Sequence, residues 1–280
     1  MRSIKVRTIE AAVERLCLKA NFYLRPDVVM SLKRALRTET SPLGKEILKM
    51  IIENQVIASR EKIPLCQDTG MVVVFLEIGQ GVKITGGNFE KAINRGVSRA
   101  YLKGYLRSSI VRDPLIRINT GDNTPAVIHT KIVPGSRIKI YVAPKGFGSE
   151  NAGSLHMFKP TAAQNEIIDY MVAAVARAGG GACPPFILGI GIGGTMEKAS
   201  LLSKEALLRP IDRPNPEKHL ARLERKILEK INGLGLGPMG LGGKVTALGV
   251  NILTFPTHLA GLPVALTIAC HSLRGGKMVL

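Results

Sequence analysis

Three cysteines carry the chemistry this sequence could support. Cys66 stands in Leu65-Cys66-Gln67-Asp68-Thr69-Gly70, just ahead of the apolar run Met71-Val72-Val73-Val74-Phe75-Leu76. Cys183 stands in Ala182-Cys183-Pro184-Pro185, ahead of Phe186-Ile187-Leu188-Gly189-Ile190. Cys270 stands in Ala269-Cys270-His271-Ser272, after Leu262-Pro263-Val264-Ala265-Leu266-Thr267-Ile268. Each thiol thus lies at the end of a strand-like run, where loops assemble sites. Three thiolates can bind zinc with a fourth ligand, or three corners of a cubane iron–sulfur cluster. In the second case one iron stays open and acts as a Lewis acid. Three inert buried thiols are the plain alternative. Against it stand the polar neighbours and the two prolines after Cys183, which fix the backbone and remove donors next to the sulfur. Cys17 differs: it shares a helical apolar stripe with Ile9, Val13, Leu16 and Ala20 and is expected to pack.

Other residues could act beside these thiols. Asp68, two residues after Cys66, is placed to move a proton for whatever Cys66 binds, or simply to cap a turn. Arg107 could grip a carboxylate in a bidentate pair, or be one more surface cation. His258, in Pro256-Thr257-His258-Leu259, is either a core histidine or an anion-binding group in a cleft. Gly189-Ile190-Gly191-Ile192-Gly193-Gly194-Thr195 has the spacing of a dinucleotide fingerprint, though no βαβ repeat follows it.

The elements that position these residues follow from periodicity and punctuation. Residues 4–22 read as a helix. Pro26 opens a second, and Ser41-Pro42 caps and opens a third. Met71 to Ile78 reads as a strand, and Asn88 caps a helix from Phe89. Ala126 to Val133 and Arg137 to Ala143 suggest a hairpin around Pro134-Gly135-Ser136. A helix from about Ala162 to Ala178 is stopped by three glycines. Thr195 caps another helix, and Asn215-Pro216 opens a charged one to Asn232. Strands are expected near Val245–Leu253 and Val264–Ile268. The fold class is α+β (mixed α/β): a helical N-terminal region over 1–60, then a mixed β-sheet body with flanking helices over 61–280, in one continuous domain.

Composition narrows the function. The chain of 280 residues is 45% hydrophobic, which suits a folded globular core. Aromatics are 4% with no Trp, so stacking platforms for single-stranded nucleic acid are poorly supplied. The net charge of +18 is spread along helical segments and not gathered into a basic tail. It fits a solvated surface, an anionic substrate or an acidic partner. Four cysteines are too few for a disulfide scaffold. The first residues lead into an amphipathic helix and not an apolar signal segment, so the expected compartment is cytoplasmic. Residues 245–273 contain no Asp, Glu, Lys or Arg, but Pro256, Pro263 and His258 break them, so buried strands are expected and no membrane span.

The cysteine segments do not stand alone. Asn119-Thr120-Gly121-Asp122-Asn123-Thr124-Pro125-Ala126, Lys145-Gly146-Phe147-Gly148-Ser149-Glu150-Asn151, Gly191-Ile192-Gly193-Gly194-Thr195, Gly235-Leu236-Gly237 and Gly242-Gly243-Lys244 accompany them in order. Together they resemble the iron–sulfur (class I) fumarate hydratases and the related L(+)-tartrate dehydratases, over nearly the whole chain from about residue 10. The length is similar to that of the α subunit, equivalent to the N-terminal domain of single-chain members. Phe147 departs from the glycine of better-known members.

The resemblance implies a [4Fe–4S] cluster on Cys66, Cys183 and Cys270, its fourth iron binding a carboxylate and hydroxyl of malate. It implies substrate contacts from Gln67, Asp68, Arg107, Gly148 and His258, with Gln67, Asp68 and His258 closest to catalysis. Asp68 would protonate the leaving hydroxyl, and Arg107 and His258 would hold carboxylates. It further implies a β subunit that carries the base, an α2β2 assembly, a small dicarboxylate substrate and no nucleic acid. Reversible hydration of fumarate to malate is the first expectation and dehydration of tartrate the second. A structural Cys/His zinc module and a nucleotide or nucleic-acid binder are the readings from other classes.

Overall fold

The computed structural model describes residues 2–280. In chain order it runs β1 (Arg2–Lys5), α1 (Val6–Phe22), α2 (Pro26–Thr38), α3 (Pro42–Glu61), β2 (Met71–Gly79), β3 (Val82–Thr85) and α4 (Phe89–Lys103). Next come β4 (Val127–Val133), β5 (Ile138–Lys145), α5 (Phe147–Glu150), β6 (Ser154–Phe158), α6 (Gln164–Ala178), β7 (Phe186–Gly193) and α7 (Met196–Ala206). Last are α8 (Lys218–Asn232), β8 (Ala247–Phe255), β9 (Leu262–Ala269) and β10 (Gly276–Val279). The α+β expectation holds.

The chain forms two compact units. The first comprises residues 1–25, 54–147 and 274–280, and the second 26–53 and 148–273. The helical front part is therefore divided: α1 belongs to the first unit, α2 to the second, and α3 carries a boundary between Glu53 and Asn54.

The first unit holds a four-stranded sheet in the order β10-β5-β2-β4, and a two-stranded parallel pair, β1-β3. β2 is central and almost wholly buried, as its unbroken apolar run requires. Ile9, Val13, Leu16 and Cys17 of α1 and Ile93, Val97 and Tyr101 of α4 pack with Val72, Val74, Leu76, Ile138, Ile140 and Val142 of the sheet. Burial pushes the Cys17 thiol pKa up, in keeping with its expected packing role. Two expectations change here. Residues 2–5 are a strand, because they pair with β3, which is itself unforeseen. The segments around Pro134-Gly135-Ser136 are strands but not a hairpin: β2 lies between them, parallel to β4 and antiparallel to β5. β2, apolar on both faces, takes the central place and pairs along both of its edges.

The second unit holds a sheet in the order β6-β9-β7-β8. Ile167, Ile168, Met171 and Val175 of α6 and Leu220, Leu223, Ile227 and Ile231 of α8 cover one face, over Phe186, Leu188, Ile190, Ile252, Leu266 and Ile268. The other face receives α7. There a Cβ on Gly189 would lie 2.0 Å from the Ser203 carbonyl oxygen, and one on Gly191 2.0 Å from that of Ala199. The alternating glycines are thus strand positions that let a helix backbone approach, and not a phosphate loop. α7 also starts without a side-chain cap from Thr195, whose hydroxyl hydrogen-bonds to Glu197 instead (2.5 Å). Asn215-Pro216 precedes α8, which begins at Lys218. The uncharged stretch is β8 and β9, and no helix among the described residues is long and apolar enough to cross a membrane.

Candidate active site

In the first unit, a buried polar web shapes the segment that carries Cys66 and Asp68. Leu65 N donates to Asn21 O (2.9 Å), and Leu65 O accepts from Asn54 Nδ2 (3.0 Å). Thr69 Oγ1 donates to Arg107 O (3.0 Å). Tyr101 Oη donates toward the carbonyls of Thr69 (2.7 Å) and Gly70 (2.9 Å), and Asn123 Nδ2 donates to Gly70 O (3.1 Å). Burial pushes the Tyr101 phenol pKa up, which keeps it a donor. An irregular segment can be held this closely only because its backbone groups find such partners. Gly70 (φ 79°) has no room for a side chain: a Cβ would lie 2.7 Å from the Lys145 backbone.

The Asp68 carboxylate is fixed at both oxygens. Oδ1 accepts from Gly70 N (3.0 Å) and Oδ2 from Phe147 N (2.8 Å). The first bond is the turn-capping contact and the second reaches across the sheet end. Asp68 and Cys66 are half-buried, while Gln67 and the side chain of Arg107 are exposed. The structure therefore brings Gln67, Asp68 and the Arg107 backbone to one end of β2. It adds residues to which sequence reasoning gave no role: Asn21, Tyr101, Asn123 and Arg274. Arg274 is 4% exposed, a buried cation only four residues past Cys270. Arginine is rarely buried unless paired, so a local sequence scan gives no signal for it.

In the second unit, Cys183 and Cys270 are half-buried at strand ends. Cys183 adopts a left-handed conformation (φ 58°, ψ 66°). His271 Nδ1 lies 3.2 Å from the Cys183 carbonyl oxygen and donates to it. That bond ties the Cys183 turn to the segment that carries Cys270. Burial lowers the His271 pKa, so the ring is neutral at pH 7, with Nε2 left as an acceptor. Gly148 lines a cavity of about 350 Å³ with Asn151, Ser154, Arg177, Gly181 and Ala182, directly before Cys183. His258 is exposed in the β8–β9 loop, its Nδ1 accepting from Ala260 N (3.1 Å). The core-histidine alternative thus fails for His258.

Within either unit, among the described residues, no three His, Cys, Asp or Glu side chains are gathered as metal ligands. The donors themselves suit iron and sulfide: three half-buried thiols on irregular turns, in segments held from behind by hydrogen bonds.

The model of the family described as fumarate hydratase (Fumerase) matches residues 10–279. The chain belongs to the fumarate hydratase family. One relative in Methanocaldococcus jannaschii, provisionally named an L(+)-tartrate dehydratase α subunit, is 42% identical over 95% of both chains. The L(+)-tartrate dehydratase α subunit of Escherichia coli K12 is 31% identical over 91% of this chain and 84% of its own. Dehydratases of this kind are hydro-lyases, so both relatives bear the name of an α subunit of a hydro-lyase.

Proposed function

We propose that this chain is the cytoplasmic α subunit of a [4Fe–4S]-dependent L(+)-tartrate dehydratase. The observation that carries this reading is the relative of that name at 42% identity over 95% of both chains. Fumarate hydration, expected first from the motifs, becomes the second reading, favoured by the description of the family model.

Cys66, Cys183 and Cys270 are the proposed cluster ligands. When bound, the cluster would supply an electrophile for the departing hydroxyl. The roles of the chain's own residues follow from their chemistry. Dehydration removes a proton from the carbon beside one carboxylate and hydroxide from the neighbouring carbon. Asp68, held at both oxygens, takes up a proton from solvent before the step and passes it to the leaving hydroxyl, which departs as water. Arg107 and His258, both exposed, bind the two carboxylates and offset the charge that builds on the carbon. Gln67 and Gly148 contact the substrate. A β subunit contributes the base, in an α2β2 assembly, and the high positive charge of this chain draws the dianionic substrate in.

The test is anaerobic reconstitution with iron and sulfide, with and without the β subunit, followed by assays on L(+)-tartrate, fumarate and malate. About four iron and four sulfide per chain, lost in Cys66→Ser, Cys183→Ser and Cys270→Ser, are expected. A higher kcat/KM for tartrate supports the leading reading, and a higher value for fumarate transfers support to the second. Stoichiometric zinc without sulfide would replace both with a structural zinc site.

A further inference from the structure

The guanidinium of Arg274 is almost fully buried, yet among the described residues no carboxylate is in ion-pair contact with it. Its Nη1 donates to Asn21 Oδ1 (3.0 Å), and its buried Nε has no partner. Arginine cannot shed its proton, so a buried cation with one neutral partner costs stability that an apolar side chain would not. What the cation stands beside is Gly146. The point where a Cβ would grow from Gly146 is 3.1 Å from Arg274 Nη2 and 3.0 Å from Asp68 Oδ2. The same Oδ2 accepts from Phe147 N. One carboxylate oxygen is therefore bounded by an amide donor and, across a residue without a side chain, by a buried positive charge.

We infer that Arg274 is a positioning residue for Asp68: its buried charge, facing Asp68 Oδ2 across Gly146, holds that carboxylate in its reactive orientation. The inference rests on the proposed role of Asp68 in the hydro-lyase reaction. Electrostatic attraction toward Nη2 and the Phe147 bond act on the same oxygen, which leaves the carboxylate little freedom to turn. Asn21 anchors the guanidinium from behind, and the Asn21 carbonyl holds Leu65, so cation and carboxylate are referenced to one frame. Gly146 is the spacer. Its φ lies outside the left-handed region, so alanine fits the backbone, but its methyl would press against both Oδ2 and Nη2.

The test compares Arg274→Met, Arg274→Lys and Gly146→Ala in the cluster-loaded enzyme with its β subunit. Arg274→Met should lower kcat by about tenfold to a hundredfold with KM within about threefold, as expected when a reacting group is misplaced. Arg274→Lys should restore most of that loss, and Gly146→Ala should reproduce it with Arg274 present. A purely structural Arg274 would show no such split between kcat and KM and no rescue by lysine. If Arg274→Met does not fold, Gly146→Ala decides: full activity there overturns the inference. A crystal structure of the Arg274→Met or Gly146→Ala chain gives a reading independent of turnover. Asp68 Oδ2 withdrawn from Phe147 N supports the inference, and an unmoved carboxylate overturns it. An inactive wild-type enzyme would defeat the functional reading alone, because the crystallographic comparison would still report on Arg274.

Discussion

The carboxylate of Asp68 accepts a 2.8 Å hydrogen bond from the backbone N–H of Phe147, a residue 79 positions further along the chain. The contact does not involve the aromatic ring, so the identity of residue 147 should matter only through its N–H. Phe147 is also the first residue of α5, a position where proline fits the backbone. Phe147→Pro, which removes the donor along with the ring, should lower kcat about tenfold or more while the chain stays folded. Phe147→Gly should stay within about threefold of wild type. Steady-state kinetics with circular dichroism on both variants would check this, and a fully active proline variant would refute it.

The four cysteines should separate cleanly. Cys66→Ser, Cys183→Ser and Cys270→Ser should each lose bound iron, sulfide and activity. Cys17 lies in the first unit's core at 0% exposure, so Cys17→Ser should keep all three. Its cost should be confined to stability, on the order of 1 kcal/mol for a hydroxyl placed among apolar groups. Iron and sulfide assays and melting curves read these outcomes directly. A Cys17 variant that folds but binds no iron would contradict the division of roles.

Glu39 should make the second unit acid-sensitive. It is 2% exposed and accepts from the backbone N–H groups of Thr40, Ser41, Lys244 and Val245. Burial alone would raise its pKa, but these bonds outweigh it and hold the carboxyl below the usual range. A depressed folded pKa gives stability that is complete above the unfolded value of about 4.3 and lost as pH falls through the lower folded value. Glu39→Ala should cost about 3 kcal/mol at pH 7, through unpaired buried donors. The stability gap between Glu39→Ala and wild type should narrow below about pH 4. Urea unfolding at pH 7 and pH 3 would measure it, and an equal gap at both would show that the carboxylate is not the source.

The glycines of β7 should tolerate no side chain. Gly191→Ala would drive a methyl into the Ala199 carbonyl oxygen, at a cost of about 3 kcal/mol or more. Because these glycines serve packing, nucleotides should not shift the melting temperature of the wild-type chain. A clear NAD or ATP shift would revive the dinucleotide reading.

The cysteine segments, the glycine-bearing loops and the helix starts at Pro26, Pro42 and Asn88 were legible in the sequence because each depends on neighbours along the chain. Ser41 illustrates this: its hydroxyl accepts from Gly44 N at 3.1 Å, a capping bond set by local spacing. The order of strands was not legible. β4 and β5 look like a hairpin from their turn, and only the burial of β2 on both faces places it between them. Nor did Gly189 and Gly191 announce their role, since the same spacing serves a phosphate loop or a helix pressed onto a strand.

The sequence by itself determined which residue types are available for chemistry, and the family whose motifs arrange them. Thiols, a carboxylate and cations at strand ends are properties of residue identity and local order. Tertiary structure decided what surrounds them. Asn21, Tyr101, Asn123 and Arg274 reach the Cys66–Gly70 segment from distant parts of the chain, because a buried irregular backbone must find its hydrogen-bond partners wherever the fold supplies them. No local pattern encodes that meeting. It exists only once burial of the apolar faces has fixed which segments lie side by side.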